Sequence, residues 1–299
     1  MEKQKMKPYL ALWIGVIAVS TSAIFVKLST AEAGVIAFYR LFFTVILMSP
    51  LFWLKFRQEL KKITKRDWVF SIVSGIFLAF HFILWFESLN YTSVASSTVL
   101  VTLQPLFAFI GTYIFFNEKL SVKAILAGGL ALCGSVLISW GDFRISGLAL
   151  WGDILALMAC ALITAYLLFG QNVRRRLSLV TYTYVVYSIS SLVLFIYVWI
   201  KGENYISLPK IEWLYFVLLA LIPTLLGHTL FNWSLKWIST STISMVILIE
   251  PIGASLLAYL LLGEVVTPYQ VIGGGIIMIG IFLFLLNENK MKRKNASSA

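Results

Sequence analysis

A chain of 299 residues that is 60% hydrophobic and 12% charged, with mean hydropathy +0.90, carries far more apolar surface than one water-soluble core can bury. Its formal net charge of +11 would suit a nucleic-acid binder, but Lys and Arg gather in short connectors between apolar runs, which is a pattern of membrane topology. The two cysteines, Cys133 and Cys160, both fall inside apolar runs, so no disulfide framework is expected.

Ten apolar runs follow in chain order, at 9–28, 33–54, 68–89, 93–116, 123–140, 147–170, 182–200, 213–235, 242–262 and 268–286. About 20 residues of helix cross a hydrocarbon core of roughly 30 Å. The runs are continuously apolar, whereas barrel strands would alternate over about ten residues, so an all-α integral membrane protein is predicted. Lys3, Lys5 and Lys7 ahead of the first run give it the outline of a signal peptide. It is long for that role and no hydrophilic domain follows, so it reads as the first membrane helix.

Placing the N-terminus in the cytoplasm puts 19 of the 24 Lys and Arg residues inside, among them Lys55 to Arg66, Arg174 to Arg176 and the basic tail 288–299. The outer connectors then hold only Arg144, Lys201 and Lys210. A multi-pass plasma-membrane protein with both termini cytoplasmic is expected.

The stretch beginning Gln104-Pro105 recurs as Glu250-Pro251 at an offset of 146 residues. In the same register Glu118 matches Glu264, and Gly128, Gly129 and Gly134 match Gly274, Gly275 and Gly280. Two repeats are therefore predicted, over 1–141 and 147–287. Five helices in each make the second repeat enter the membrane from the opposite side, so the ten transmembrane helices form two inverted five-helix repeats. That architecture lets two halves exchange conformations around a site near the midplane.

The Pro-containing fourth and ninth helices ending in Glu118 and Glu264, the Glu250-Pro251 pair, the Gly-rich fifth and tenth helices, Lys27 and Arg40 carry a family pattern. On these residues the chain, from about residue 9 to 287, resembles the EamA-type members of the drug/metabolite transporter superfamily. The resemblance implies a ten-helix secondary transporter of small metabolites, such as amino acids or related compounds, often an exporter, with a cavity between the repeats.

Charged and polar groups inside the runs nominate the site, because a charge in lipid costs several kcal/mol unless paired or hydrated. Arg40, in the second run, could hold a carboxylate bidentately or form a structural ion pair. Thr224, His228 and Asn232 recur every four residues as one polar stripe, and Ser74, His81, Trp85 and Ser88 form another in the third run. Ser20 shares a face with Trp13 and Lys27, and Tyr166 is an interior aromatic. Ser20, Arg40, His81, Trp85, Tyr166, Thr224, His228 and Asn232 are thus substrate or cavity candidates, although the histidines could equally be satisfied by interhelical hydrogen bonds. Glu87, Gln104, Pro105, Glu250 and Pro251 are coupling or hinge candidates, since each proline removes a helix hydrogen bond in mid-membrane. Ala127, Ala131, Ser135 and the glycines of 273–280 suit close helix packing or a homodimer contact.

An intramembrane enzyme is the rival class, but neither His81 nor His228 opens a His-Glu-x-x-His motif, and Gly253-Ala254-Ser255 lacks the closing glycine of a nucleophile turn. No metal set, phosphate loop, cofactor or nucleic-acid role is expected. A small-molecule substrate and the lipid bilayer are the expected partners, with a passive channel or a membrane sensor as the alternative.

Overall fold

The computed structural model describes residues 6–138, 140 and 147–297. Lys3, Lys5 and Arg144 lie outside the described residues, as do the side chains of Lys7, Lys292, Arg293 and Lys294.

The first repeat comprises α1 (Met6–Val19), α2 (Ser22–Leu28), α3 (Ala33–Leu51), α4 (Lys65–Ser88), α5 (Val94–Thr102), α6 (Gln104–Phe116) and α7 (Val122–Ile138). The second comprises α8 (Gly147–Val173), α9 (Leu179–Lys201), α10 (Lys210–Leu219), α11 (Thr229–Ser234), α12 (Thr240–Ile247), α13 (Glu250–Leu262) and α14 (Pro268–Ser297). Consecutive short helices share a span, giving nine long apolar spans plus the shorter Val122–Ile138 among the described residues. The chain is an all-α membrane protein of ten helices in two inverted repeats.

Hydroxyl caps set where several spans begin. Thr64, Ser93, Ser178 and Ser239 each accept the backbone N–H three residues on, starting α4, α5, α9 and α12. Ser93 and Ser239 are themselves 146 residues apart, as are the starts of α6 and α13 at Gln104 and Glu250.

Four spans are interrupted where the sequence reads as continuous helix. In the first, Ser20 Oγ donates to Val16 O (2.9 Å) and Thr21 Oγ1 to Ala18 O (2.7 Å), drawing the backbone out of register between α1 and α2. In the fourth and ninth, α5 stops before α6 and α12 before α13, so Pro105 and Pro251 stand in the first turn of a new half-helix. This corrects the expected kink: a proline in the first turn removes no helical bond, and the free carbonyls belong to the ends of α5 and α12. Between α10 and α11 the backbone widens into π-helix over Ala220–His228 around Pro223.

The α7 and α14 helices cross at backbone contact. A Cβ on Gly134 would meet Gly273 O at 2.7 Å, and one on Gly280 would meet Ala131 N at 2.7 Å. Ala127, Ala131 and Ser135 are buried in this crossing. The small residues expected for packing or a homodimer are thus consumed within one chain, and no dimer is required to account for them.

Polar links join the repeats at both ends of the bundle. At the end carrying the basic connectors, Arg176 pairs with Asp67, Ser178 and Thr181 donate to Glu59, and Ser239 Oγ donates to Glu118 (2.9 Å). Arg174 lies buried there, donating to Asn232 O (2.9 Å) and Leu177 O; burial pushes its guanidinium down to about 10, so it stays charged at neutral pH. At the other end Glu212 accepts from Ser29 and from the N–H and hydroxyl of Thr30 (2.8 and 2.9 Å), and Tyr39 donates to Tyr205 O (2.6 Å).

Candidate central cleft between the repeats

The half-helix starts bring Gln104 and Glu250 to one cleft, together with Ser22, His81, Trp85, His228 and Phe231. Its lining draws equally on both halves, and Val101 with Ile247, Gln104 with Glu250, and Trp85 with Phe231 are pairs 146 residues apart. The repeat therefore builds the site as well as the fold. Space for the centre of a water-sized sphere is only about 20 Å³, close to one water molecule, so a metabolite enters only if the helices separate.

The cleft walls combine aromatic faces with uncommitted polar atoms. His81 and Trp85 stack with ring centroids 5.8 Å apart, and Phe82 meets His228 edge-on at 5.5 Å. His81 Nδ1 lies 3.0 Å from Ala159 O; a carbonyl only accepts, so Nδ1 carries the proton and a neutral ring keeps Nε2 as an acceptor. Trp85 Nε1, Gln104 Oε1 and His228 Nδ1 are buried without a hydrogen-bond partner in the protein. Unmet polar atoms in apolar surroundings cost about 1–3 kcal/mol each and favour a ligand that completes them.

Arg40 stands behind this wall, fully buried. Its Nε donates to Thr224 Oγ1 (2.8 Å) and Nη1 to Ser22 Oγ (2.7 Å), and its guanidinium lies 4.2 Å from the Phe82 ring centroid. Nη2 has no hydrogen-bond partner in the protein. Thr224 is thereby committed to Arg40 and to Leu219 O (2.8 Å) and does not line the cleft. Ser20 also lies behind it, donating to Glu250 O at 3.4 Å.

Tyr166 and Asn232 form a separate layer. Asn232 Nδ2 donates to the Tyr166 hydroxyl and to His228 O (2.8 Å), which fixes the turn that presents the His228 ring. Tyr182 and Tyr187, which no sequence signal singled out, extend this layer through Ser74 (2.8 Å) and Thr229 (3.2 Å).

Among the candidates read from the sequence, the cleft gathers His81, Trp85, His228, Gln104 and Glu250, while Ser20, Arg40, Tyr166, Thr224 and Asn232 back it. Glu87 is brought to neither place. Two residues past Trp85 and so about 200° around the helix, it is half-buried at the end of α4 and accepts from Asn90 (3.3 Å) and Tyr91 (3.1 Å). Ser22 and Phe231 were missed; the cluster Ser20-Thr21-Ser22 in an apolar run was the available signal for the first.

Paired broken helices meeting at an aromatic and partly unsatisfied cleft are features of membrane transporters, in which irregular backbone is tolerated where it lines a cavity. The EamA-like transporter family model matches residues 6–140 and again 150–286, and the chain belongs to that family. It is 27% identical over 285 residues to the uncharacterized transporter YxxF of Bacillus subtilis, covering 90% of this chain and 91% of that one. It is 25% identical over 247 residues to the riboflavin transporter ImpX of Fusobacterium nucleatum, covering 79% and 83% respectively. A protein of known crystal structure superposes with a TM-score of 0.72 over 95% of this chain and 98% of its own, at 16% identity, which speaks for the fold alone.

Proposed function

We propose that this transporter moves a small metabolite with an aromatic or amphiphilic body, an amino acid or related compound, out of the cell by alternating access of its two repeats. The observation that carries the reading is the meeting of two half-helix starts, Gln104 and Glu250, in a cleft to which each repeat contributes equally. A half-helix N-terminus offers free N–H groups and a positive dipole end to an anionic or polar group. His81, Trp85 and Phe231 supply the faces for the body, and His228 and Gln104 the polar contacts. Arg40 braces Ser22 from behind, and the rigid layer of Tyr166 and Asn232 holds His228 in place. Pro105 and Pro251 fix the two interruptions at which the halves bend.

The cytoplasmic placement of both termini in the plasma membrane follows from the basic connectors. Export as the direction rests on the family resemblance. A second reading, a flavin-like planar heteroaromatic solute, is favoured by the stacked His81 and Trp85 rings and by the similarity to a riboflavin transporter.

Reconstitution into proteoliposomes loaded with amino acids, amines or riboflavin, with and without an imposed pH gradient, tests the proposal. Saturable flux of one class, abolished in His228→Ala, is expected. Saturable flux that survives His228→Ala and Trp85→Ala together would remove the cleft as the substrate site, and non-saturable flux would favour a channel.

A further inference from the structure

A second pocket opens at the bundle end that carries the basic connectors, between α4, α6 and α8. Arg66 borders it at the start of α4, Phe115 and Phe116 close α6, and Phe169 and Asn172 come from the last turns of α8. About 80 Å³ is open to a water-sized centre, more than in the central cleft. Phe115 is 62% exposed on the outer face of the bundle. The pocket therefore faces lipid at the depth where helices end.

One cation lines it and a second, Arg175, packs on the Phe116 ring that forms its wall. The Arg66 guanidinium lies 5.1 Å from the Phe70 ring centroid, and that of Arg175 lies 5.3 Å from the Phe116 centroid. Their neighbours are committed elsewhere: Arg176 to Asp67, and Arg174 to the carbonyls of Asn232 and Leu177. Among the described residues neither Arg66 nor Arg175 forms an ion pair.

The repeat gives this arrangement its meaning. A shift of 146 residues carries Arg66 onto Glu212 and Arg175 onto Ser29. At the opposite end of the bundle Ser29 donates directly to Glu212, which closes that corner from within the chain. The corresponding corner here is joined one residue along, by Arg176 on Asp67, which leaves Arg66 and Arg175 as two like charges without an ion pair among the described residues, and an anion between them would relieve their repulsion. An aromatic groove beneath that anion suits an acyl chain, and basic pockets at helix ends are a recognised form of lipid headgroup site.

We infer that Arg66, Arg175 and the groove under Phe115 and Phe116 bind one anionic phospholipid, its phosphate bridging the guanidiniums and its acyl chain lying along the phenylalanines. The site is separate from the central cleft and does not depend on the solute assigned to it. Each basic side chain near an anionic lipid contributes about fivefold in affinity, so two give roughly 25-fold preference for phosphatidylglycerol over phosphatidylcholine.

Native mass spectrometry of the purified full-length chain, titrated with each lipid, tests this directly. The wild type should show the preference, Arg66→Gln with Arg175→Gln should lose it, and Arg66→Lys with Arg175→Lys should keep most of it. An equal thermal midpoint in neutral detergent would establish that the Gln variant is folded. Undiminished preference in a folded Gln variant would overturn the site. Complete displacement of the lipid by glycerol phosphate at equal concentration would overturn the acyl-chain half of the assignment.

Discussion

Replacing Arg40 by methionine separates a working cation from a structural one. Arg40 makes two hydrogen bonds, to Ser22 and Thr224, and stacks on Phe82. Hydrogen bonds from a charged group contribute about 1.5–3 kcal/mol each, and a desolvated cation–π contact about 2 kcal/mol. Together roughly 5–8 kcal/mol would be lost, against the several kcal/mol that burying the ion costs and that its removal returns. Methionine fills the same elongated space, so the expected net change is within about 2 kcal/mol and the protein folds. Alanine at the same position leaves a void and should cost about 2–5 kcal/mol more. Thermal unfolding in detergent gives the first comparison and proteoliposome flux the second: Arg40→Met should be nearly as stable as wild type and transport at least about tenfold more slowly, an extra barrier of about 1.4 kcal/mol. Wild-type flux in Arg40→Met would refute a role for the cation, and equal destabilisation by Met and Ala would show that its hydrogen bonds dominate.

Further expectations follow from particular contacts. Gly273→Ala places a Cβ against Gly134 O and Ile138 N and should destabilise by about 1–3 kcal/mol. Gly275→Ala meets nothing within 4 Å and should be neutral or stabilise by up to about 1 kcal/mol, so equal melting shifts would contradict the close crossing of α7 and α14. Glu203, outside the membrane spans, has its carboxyl raised above the ordinary 4.5 by burial and by Glu32 and Glu87, against an opposing pull from Lys201. A raised acid binds its proton more tightly when folded, so its contribution is present below 4.5 and fades as pH rises through the folded value. Glu203→Gln should therefore raise the melting temperature at neutral pH and flatten the gain otherwise seen on acidification toward 4.5, while parallel curves for both proteins would count against it. Pro251→Ala, at a first-turn position, should change stability by less than about 1 kcal/mol yet slow turnover more than it weakens binding. Unchanged turnover would assign Pro251 to packing.

The repeat was legible because its markers are residues with special backbone demands: Pro105, Gly128 and Gly134 survive at the same offset while the apolar residues between them exchange freely. Hydropathy located the ten spans because lipid imposes length and composition on every one. It was blind to the breaks at Ser20 and across Ala220–His228, since an interrupted helix and a continuous one bury the same side chains. That blindness carried into the site. The widened turn and the Arg40 guanidinium give Thr224, His228 and Asn232, one stripe by sequence spacing, three different tasks. Glu87 was placed by being acidic in an apolar run, although helical periodicity from Trp85 already turned it away. Gln104 and Glu250 were nominated by their place beside the prolines, and the three-dimensional meeting of the two in one cleft is what periodicity could not supply.

The narrowness of the central cleft bears on the membrane as an electrical insulator. Protons cross proteins along continuous files of water, and a space for about one water molecule, tied shut at both ends by Glu212 and by Glu59, Asp67 and Glu118, holds no such file. In this conformation the cleft itself offers protons no through path, so the expected resting leak of a reconstituted copy is that of the bare bilayer.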